Sequence, residues 1–307
     1  MAQLDMAARQ EAPASAASLL GLVDQALLNN GAALYSLIDG AKFPGLSRIV
    51  MPADGSVRLY SLLGETAQAD ALYAGPVLLW HARGKQCRLL AQLLRTADSA
   101  EFLSILASAQ DIDSLVRHMT WMTDVLHEDG TEWVMRYYDP LILSHWIEVL
   151  DADQRRLALG AIHQWCFIGV GGTLRTIGAG DVGSVSYPDA PMKLSGRQCD
   201  FLMCKSLPLQ IMHQLESDDP LALAFIPAHS RYLFFARQLD RAESYGLEAP
   251  TDLKSYCLLS LMFGADFDQT ELVAETLQKL TPSDSFSVRI MRWTPAQWAS
   301  LEPVLKT

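Results

Sequence analysis

The sequence has 307 residues, of which half are hydrophobic and 19% are charged, and its formal net charge is −11 at pH 7. The apolar content is sufficient for a folded core, so the composition excludes a disordered or low-complexity protein. The acidic balance and the lack of any basic run longer than Arg155-Arg156 argue against nucleic-acid binding, which requires a cationic surface.

Helical and strand-like patterns alternate over the first part of the chain. Ser15 to Asn30 has apolar residues at three- and four-residue spacing, which predicts a helix. Short apolar runs bounded by turn residues predict buried strands at 33–38, 57–63 and 77–80. Helical spacing then returns at 86–94.

The clearest local signal is a β-hairpin between Trp121 and Tyr138. Its two apolar strands flank Glu128-Asp129-Gly130, where the glycine supplies the positive φ that such a turn requires. In this strand arrangement Arg136 and Tyr138 share one face.

A strand-to-helix turn is expected next. Pro140 ends the strand, residues 141–150 have helical spacing, and the Asp139 carboxylate can cap the helix. Arg136 and Asp139 are therefore expected to hold strand, turn and helix together, with direct contact to a partner as the alternative.

The rest of the chain divides into a glycine-rich stretch and a helical region. A strand is expected at 161–170, seven glycines fall within 169–196, and the spacing is helical from Ser195 onward. We therefore expect an α+β or α/β fold with a mixed-sheet N-terminal lobe covered by helices. The predicted boundaries are 15–182 for this lobe, 183–194 for a linker and 195–307 for an all-helical C-terminal lobe.

No motif in the sequence predicts a catalytic, cofactor or metal site. Gly178 to Gly183 spells G-x-G-x-x-G, but Ser184 to Pro188 is a poor helix start for a dinucleotide-binding turn. His163 and Cys166 would face opposite sides of a strand, and Cys199 and Cys204 lack a usual zinc spacing. A G-x-S-x-G nucleophile motif does not occur.

The sequence also bears on location. Its longest nearly apolar run, residues 256–265, is too short for a bilayer span, and residues 1–18 lack the features of a signal peptide. The five scattered cysteines do not form a disulfide framework. We expect a cytoplasmic protein without membrane insertion.

Several short motifs occur in an order that resembles the type VI secretion effector adaptor-chaperones, the Tap or TEC family, long described as a domain of unknown function. They are Leu37-Ile38-Asp39-Gly40-Ala41, Gly75-Pro76, Leu115-Val116-Arg117-His118-Met119, Asp129-Gly130 and Arg136-Tyr137-Tyr138-Asp139-Pro140. The resemblance covers about residues 31–170, and its last motif is the most specific, although Tyr137 replaces the commoner Phe. Two later segments, 245–247 and 263–268, resemble the helical tail often found behind that domain.

The resemblance implies a non-enzymatic, cytoplasmic adaptor that binds a secreted effector protein and helps to load it onto the VgrG spike protein. The family offers no catalytic or cofactor residues to transfer. Its motif positions are expected to be scaffold, with partner binding as the alternative: Asp39, Gly40, His118, Arg136, Tyr138, Asp139 and Pro140.

We expect the helical lobe, or the cleft between the lobes, to grip an effector segment, so that deleting residues 195–307 abolishes capture. Tryptophans could serve as anchors, although most should lie in the core. The alternatives are an enzyme with a dispersed active site, which a polar pocket of titratable groups would favour, and a structural interaction subunit of a secretion machine.

Overall fold

A computed structural model describes residues 32–43, 45–49, 55–63, 75–82, 88–96, 101–178, 188–281 and 283–301. The chain divides into two units, with the boundary between Met203 and Cys204. The helix predicted at Ser15–Asn30 lies outside the described residues, as do residues 183–187 of the predicted linker.

The first unit combines strands and helices. Its strands are β1 (Ala33–Asp39), β2 (Val57–Ser61), β3 (Pro76–His81), β4 (Leu103–Ser108), β5 (Asp124–His127), β6 (Glu132–Val134), β7 (Gln164–Ile168), β8 (Leu174–Ile177) and β9 (Met192–Leu194). Its helices are α1 (Arg88–Arg95), α2 (Ile112–Trp121), α3 (Pro140–Val149) and α4 (Ala152–Leu159), and 3₁₀ turns lie at Leu46–Arg48 and Val170–Gly172. Helix α5 (Gly196–Asp218) begins in the first unit and ends in the second.

Two sheets organise these strands. The main sheet has six strands in the order β2-β3-β1-β4-β7-β8, and every neighbouring pair is antiparallel. The smaller sheet has the order β6-β5-β9, with β5 antiparallel to β6 and parallel to β9. The prediction of an α+β fold is confirmed. Strand β9 lies within the segment predicted as a linker.

The central strand β1 is buried on both faces of the main sheet, which explains why its sequence does not alternate between apolar and exposed polar residues. Tyr35 and Leu37 belong to one core, which includes side chains of α2 and α3. Leu34 and Ile38 point to the opposite face and join the core that contains the leucines of α1. Helices therefore pack on both faces of this sheet.

The predicted hairpin is confirmed but is shorter than expected. Trp121, expected in its first strand, is the last residue of α2, and the second strand ends at Val134. Arg136 and Tyr138 therefore follow the strand rather than share one of its faces. Gly130 has a φ of +91°, as the turn requires.

The described part of the second unit is helical. Its helices after α5 are α6 (Ala228–Ser244), α7 (Pro250–Phe263), α8 (Glu271–Gln278), α9 (Phe286–Ile290) and α10 (Pro295–Ser300). Gly246 follows the end of α6: it has a φ of +78°, and the Leu247 N–H donates to the Ala242 carbonyl at 3.1 Å. Phe235, Tyr256 and Phe286 lie at the centre of a separate core.

Within the described residues, the structure has no helix both long enough and apolar enough to cross a membrane.

Candidate functional site

The site begins at the last residue of the central strand. Asp39 ends β1 and is fully buried, which is unusual for a carboxylate. Its Oδ2 accepts a hydrogen bond from Arg136 Nη2 at 2.8 Å, and its Oδ1 accepts one from the Ala41 N–H at 3.2 Å. Burial of this charge is therefore compensated by one cation and one backbone donor.

Asp139 is a second buried carboxylate, and it caps a helix. Its Oδ1 accepts a hydrogen bond from the Leu141 N–H at 3.1 Å, so Asp139 caps α3 as predicted. Pro140 occupies the first turn of that helix, where its missing N–H costs nothing. Asp139 Oδ2 lies 2.8 Å from Lys42 Nζ.

Arg136 and Tyr138 complete the group. The Arg136 guanidinium lies over the Tyr138 ring, 5.9 Å from its centroid, in a cation–π contact. Burial acts to lower the pKa of Arg136, but the charge and hydrogen bond of Asp39, together with Asp139 and Tyr138, outweigh it and the pKa is raised. Burial is also the main cause of the raised pKa of the Tyr138 hydroxyl. Both groups keep their ordinary protonation at neutral pH.

We call Asp39, Lys42, Arg136, Tyr138 and Asp139 the Asp39 cluster. It alternates two buried carboxylates with two cations whose side chains are 48% (Arg136) and 27% (Lys42) exposed. The ion pairs join the end of β1 to the segment after β6 and to the start of α3. The groups that reach solvent are cationic, so this surface could also contact an anionic partner group.

Two of the glycine-containing motifs lie side by side next to the Asp39 cluster. The Gly40 N–H donates to the Gly75 carbonyl at 3.1 Å, so Gly75-Pro76 lies directly beside Asp39-Gly40. The structure thus brings together Asp39, Gly40, Arg136, Tyr138, Asp139 and Pro140 of the predicted motif residues.

His118 has a separate position in the core. Its Nε2 donates to the Ala158 carbonyl at 2.9 Å, which links α2 to α4. Burial lowers the pKa of His118 to about 4, although the bond to Ala158 acts in the opposite direction. His118 is therefore neutral at pH 7 and has a bonding role in the core.

A second polar cluster lies in the helical unit. The fully buried Asp268 accepts hydrogen bonds from Tyr256 at 2.5 Å, from Tyr245 at 3.2 Å and from Arg241. Arg241 also donates to Asp266 Oδ1 at 2.9 Å. These contacts join α6, α7 and the loop after α7. They bring together the two later segments of the resemblance, 245–247 and 263–268.

Sequence reasoning missed three members of these clusters: Lys42, Arg241 and Tyr256. Lys42 follows the Asp39-Gly40-Ala41 turn directly, and that position was a usable signal. Arg241 and Tyr256 looked like ordinary helix residues, because their partner Asp268 is 27 and 12 positions away.

The remaining sequence candidates have structural explanations or lie outside the described residues. Gly178 is needed for close packing, because a Cβ there would lie 2.2 Å from the His163 carbonyl oxygen. Gly180 and Gly183 of the same motif are not described. Across the described ranges there is no group of three or more His, Cys, Asp or Glu residues placed to hold a metal ion.

Part of the chain is similar to a known protein family. Residues 34–157 match the model of a family described as a domain of unknown function (DUF4123). No curated protein and no solved structure matches the chain significantly. The matched segment contains every member of the Asp39 cluster and His118, so the part of the chain that holds the motif residues is similar to this family.

Proposed function

We propose that this chain is a non-enzymatic, cytoplasmic adaptor that binds a type VI secretion effector and helps to load it onto the VgrG spike. The observation that carries the proposal is the assembly of the motif residues. Asp39, Arg136 and Asp139 are far apart in sequence, yet they form one cluster inside the segment that matches the family.

An adaptor of this kind needs apolar surface that a partner can cover. The loop between α5 and α6 offers such surface, because Phe225 is 95% exposed and Leu221 is 69% exposed. Aromatic side chains that are buried on binding dominate the energetics of many interfaces, and neighbouring aliphatic side chains add to the apolar area buried. We therefore assign Leu221 and Phe225, which we call the apolar loop, to effector binding.

The tryptophans are weaker candidates for this role. Trp146 and Trp165 are fully buried in the first unit, and Trp293 is largely buried in the second. They contribute to the cores, as expected for most of them. The partner surface is better sought at apolar residues that the cores leave exposed.

The test is purification of the tagged full-length chain from its native cell, with mass spectrometry of the proteins retained. We expect a secreted effector and VgrG to co-purify. The double variant Leu221→Ser, Phe225→Ser should retain at least about tenfold less effector, since two exposed anchors are lost. Val134→Ser, which changes an exposed apolar residue of β6, is the matched control.

Two results would contradict these assignments. Retention of neither an effector nor a spike protein would refute the adaptor function. Undiminished retention by the double variant would refute the role of the apolar loop and leave the adaptor function standing.

A further inference from the structure

The helical unit contains a groove whose charge differs from that of its surroundings. The groove has a volume of about 280 Å³ and lies between α8 and the segment from α9 to α10. Residues 204–307 include nine basic and thirteen acidic residues, so the unit as a whole is acidic. Three of those nine basic residues, Lys279, Arg289 and Arg292, line this groove, together with only two acids.

One carboxylate holds both arginines. Asp284 Oδ2 lies 2.9 Å from Arg289 Nη2, and Asp284 Oδ1 lies 3.0 Å from Arg292 Nη1. Each guanidinium has five N–H donors in a fixed fork, whereas one carboxylate has two oxygens. A single acid therefore leaves a local excess of positive charge and of donors.

Asp284 and Arg289 are also held in position by the backbone. The Asp284 N–H donates to the Thr281 carbonyl at 3.0 Å, and Arg289 Nε donates back to the Asp284 carbonyl at 3.4 Å. Arg289 is largely buried, whereas Arg292 is 67% exposed and can reach a ligand. Donors held in place before binding lose less entropy when a ligand arrives.

The size and lining of the groove limit what it can hold. Its volume is slightly below the range of about 300–1,000 Å³ that is usual for small-molecule pockets, so one or two side chains fit better than a large cofactor. Trp293 and Leu272 contribute apolar surface beside the cations. This combination matches a peptide that presents a carboxylate next to an apolar side chain.

We propose that this groove binds a carboxylate of a peptide segment, with Arg292 as the direct anchor and Arg289 and Lys279 as supporting cations. Recognition of acidic motifs by clustered arginines is a general mode of peptide binding. The inference goes beyond the adaptor function, since it concerns a different surface and assumes no secretion partner.

The test uses short peptides labelled with an uncharged fluorophore and the full-length chain, with binding followed by fluorescence anisotropy. The first probe contains Leu-Glu-Glu-Leu with an amidated C-terminus. The second, its control, contains Leu-Gln-Gln-Leu and is also amidated. A third probe contains Leu-Gln-Gln-Leu with a free C-terminus. If the first probe binds more tightly than the amidated control, acidic side chains are the source of the carboxylate. If the third probe binds more tightly than that control, the source is a chain terminus.

Variants of the groove decide whether the binding is specific. Arg292→Gln should weaken binding of the better probe about tenfold, because one charge-assisted hydrogen-bond donor group is lost. Arg237→Gln removes an exposed arginine of the same unit outside the groove and should leave binding unchanged. Lys279 Nζ lies 2.8 Å from Glu275 Oε2 at the exposed side of the groove, so Lys279→Gln leaves that acid without its cation and should also weaken binding.

Three outcomes would overturn the proposal. The first is that the carboxylate probes bind no more tightly than the amidated glutamine probe. The second is that no saturable binding occurs at millimolar peptide. The third is that the wild-type chain and both groove variants bind with equal affinity. None of the probes contains an effector, so failure here is distinguishable from failure of the adaptor function.

Discussion

Arg136 and Asp39 form one ion pair, but the two side chains differ in their access to water. Asp39 is fully buried, whereas Arg136 is about half exposed. Arg136→Met should lower the free energy of unfolding by about 3 kcal/mol, because it leaves a buried carboxylate without its cation. Asp39→Asn should lower it by only about 1–2 kcal/mol, since the remaining guanidinium can be hydrated. Urea-induced unfolding measures both changes.

The control for this comparison is Arg117→Met, which removes an exposed arginine of α2. Arg117 donates to Ser114 in its own helix, so its loss should change stability by less than about 0.5 kcal/mol. If Asp39→Asn proved more damaging than Arg136→Met, the proposed asymmetry of the pair would be wrong.

The same residues show which side-chain roles a sequence can reveal. Asp139 was predicted as a helix cap because the N–H that it accepts from lies only two positions away. The Asp39–Arg136 pair could not be derived in this way, because it joins residues 97 positions apart. Local capping follows from local sequence, whereas a buried ion pair depends on how distant elements pack.

At the scale of elements, strand and helix ends were the least predictable features. Trp121 to Leu126 has apolar residues that suit either state, and the structure divides this stretch between α2 and β5. Helix α5 continues through Pro208, although proline is disfavoured inside a helix. Proline lacks one backbone donor, so the surrounding contacts must outweigh its local preference.

Helix α5 also affects where the chain can be cut. Cys199 and Leu202 in its first half belong to the core of the first unit. Gln198 Nε2 donates to the Val149 carbonyl at 2.9 Å and to Gln154 Oε1 at 2.6 Å. Deletion from residue 195 would therefore remove parts of the first unit along with the helical region.

We predict that a chain ending at Met203 is more stable than one ending at Leu194. The difference should be about 3 kcal/mol, because the shorter chain loses the buried Leu202 and Cys199 side chains and the hydrogen bonds of Gln198. Urea unfolding of the two fragments, followed by circular dichroism, gives the comparison. Equal stabilities would show that the first half of α5 contributes nothing to this unit.

At the scale of the whole molecule, sequence patterns predicted an α+β part followed by helices. They could not predict the strand order β2-β3-β1-β4-β7-β8, because each pairing depends on contacts between distant segments. The buried polar groups are also divided unevenly between the units. His81 and His118, whose pKa values are strongly lowered, lie in the first unit, whereas His213 and His229 in the second are exposed.

This distribution predicts that acid destabilises the first unit before the second. Burial lowers the pKa of both His81 and His118 to about 4, whereas an unfolded histidine has its ordinary value of 6.5. Between these values the unfolded chain binds more protons than the folded one, so stability is present above pH 6.5 and is lost as the pH falls toward 4. The loss should be about 2 kcal/mol per histidine at pH 5.

Urea unfolding is followed at pH 7 and pH 5 by pulsed hydrogen exchange and mass spectrometry. Peptides from β1 and β4 report on the first unit, and peptides from α6 and α7 report on the second. The urea midpoint of the first unit should fall more between pH 7 and pH 5 than that of the second.

The double variant His81→Gln, His118→Gln should be less stable at pH 7, because hydrogen bonds to Ser36 and Ala158 are altered. Its first unit should nevertheless lose less stability on acidification, whereas His213→Gln should preserve the wild-type pH dependence. An unchanged pH dependence in the double variant would show that other groups cause the acid sensitivity.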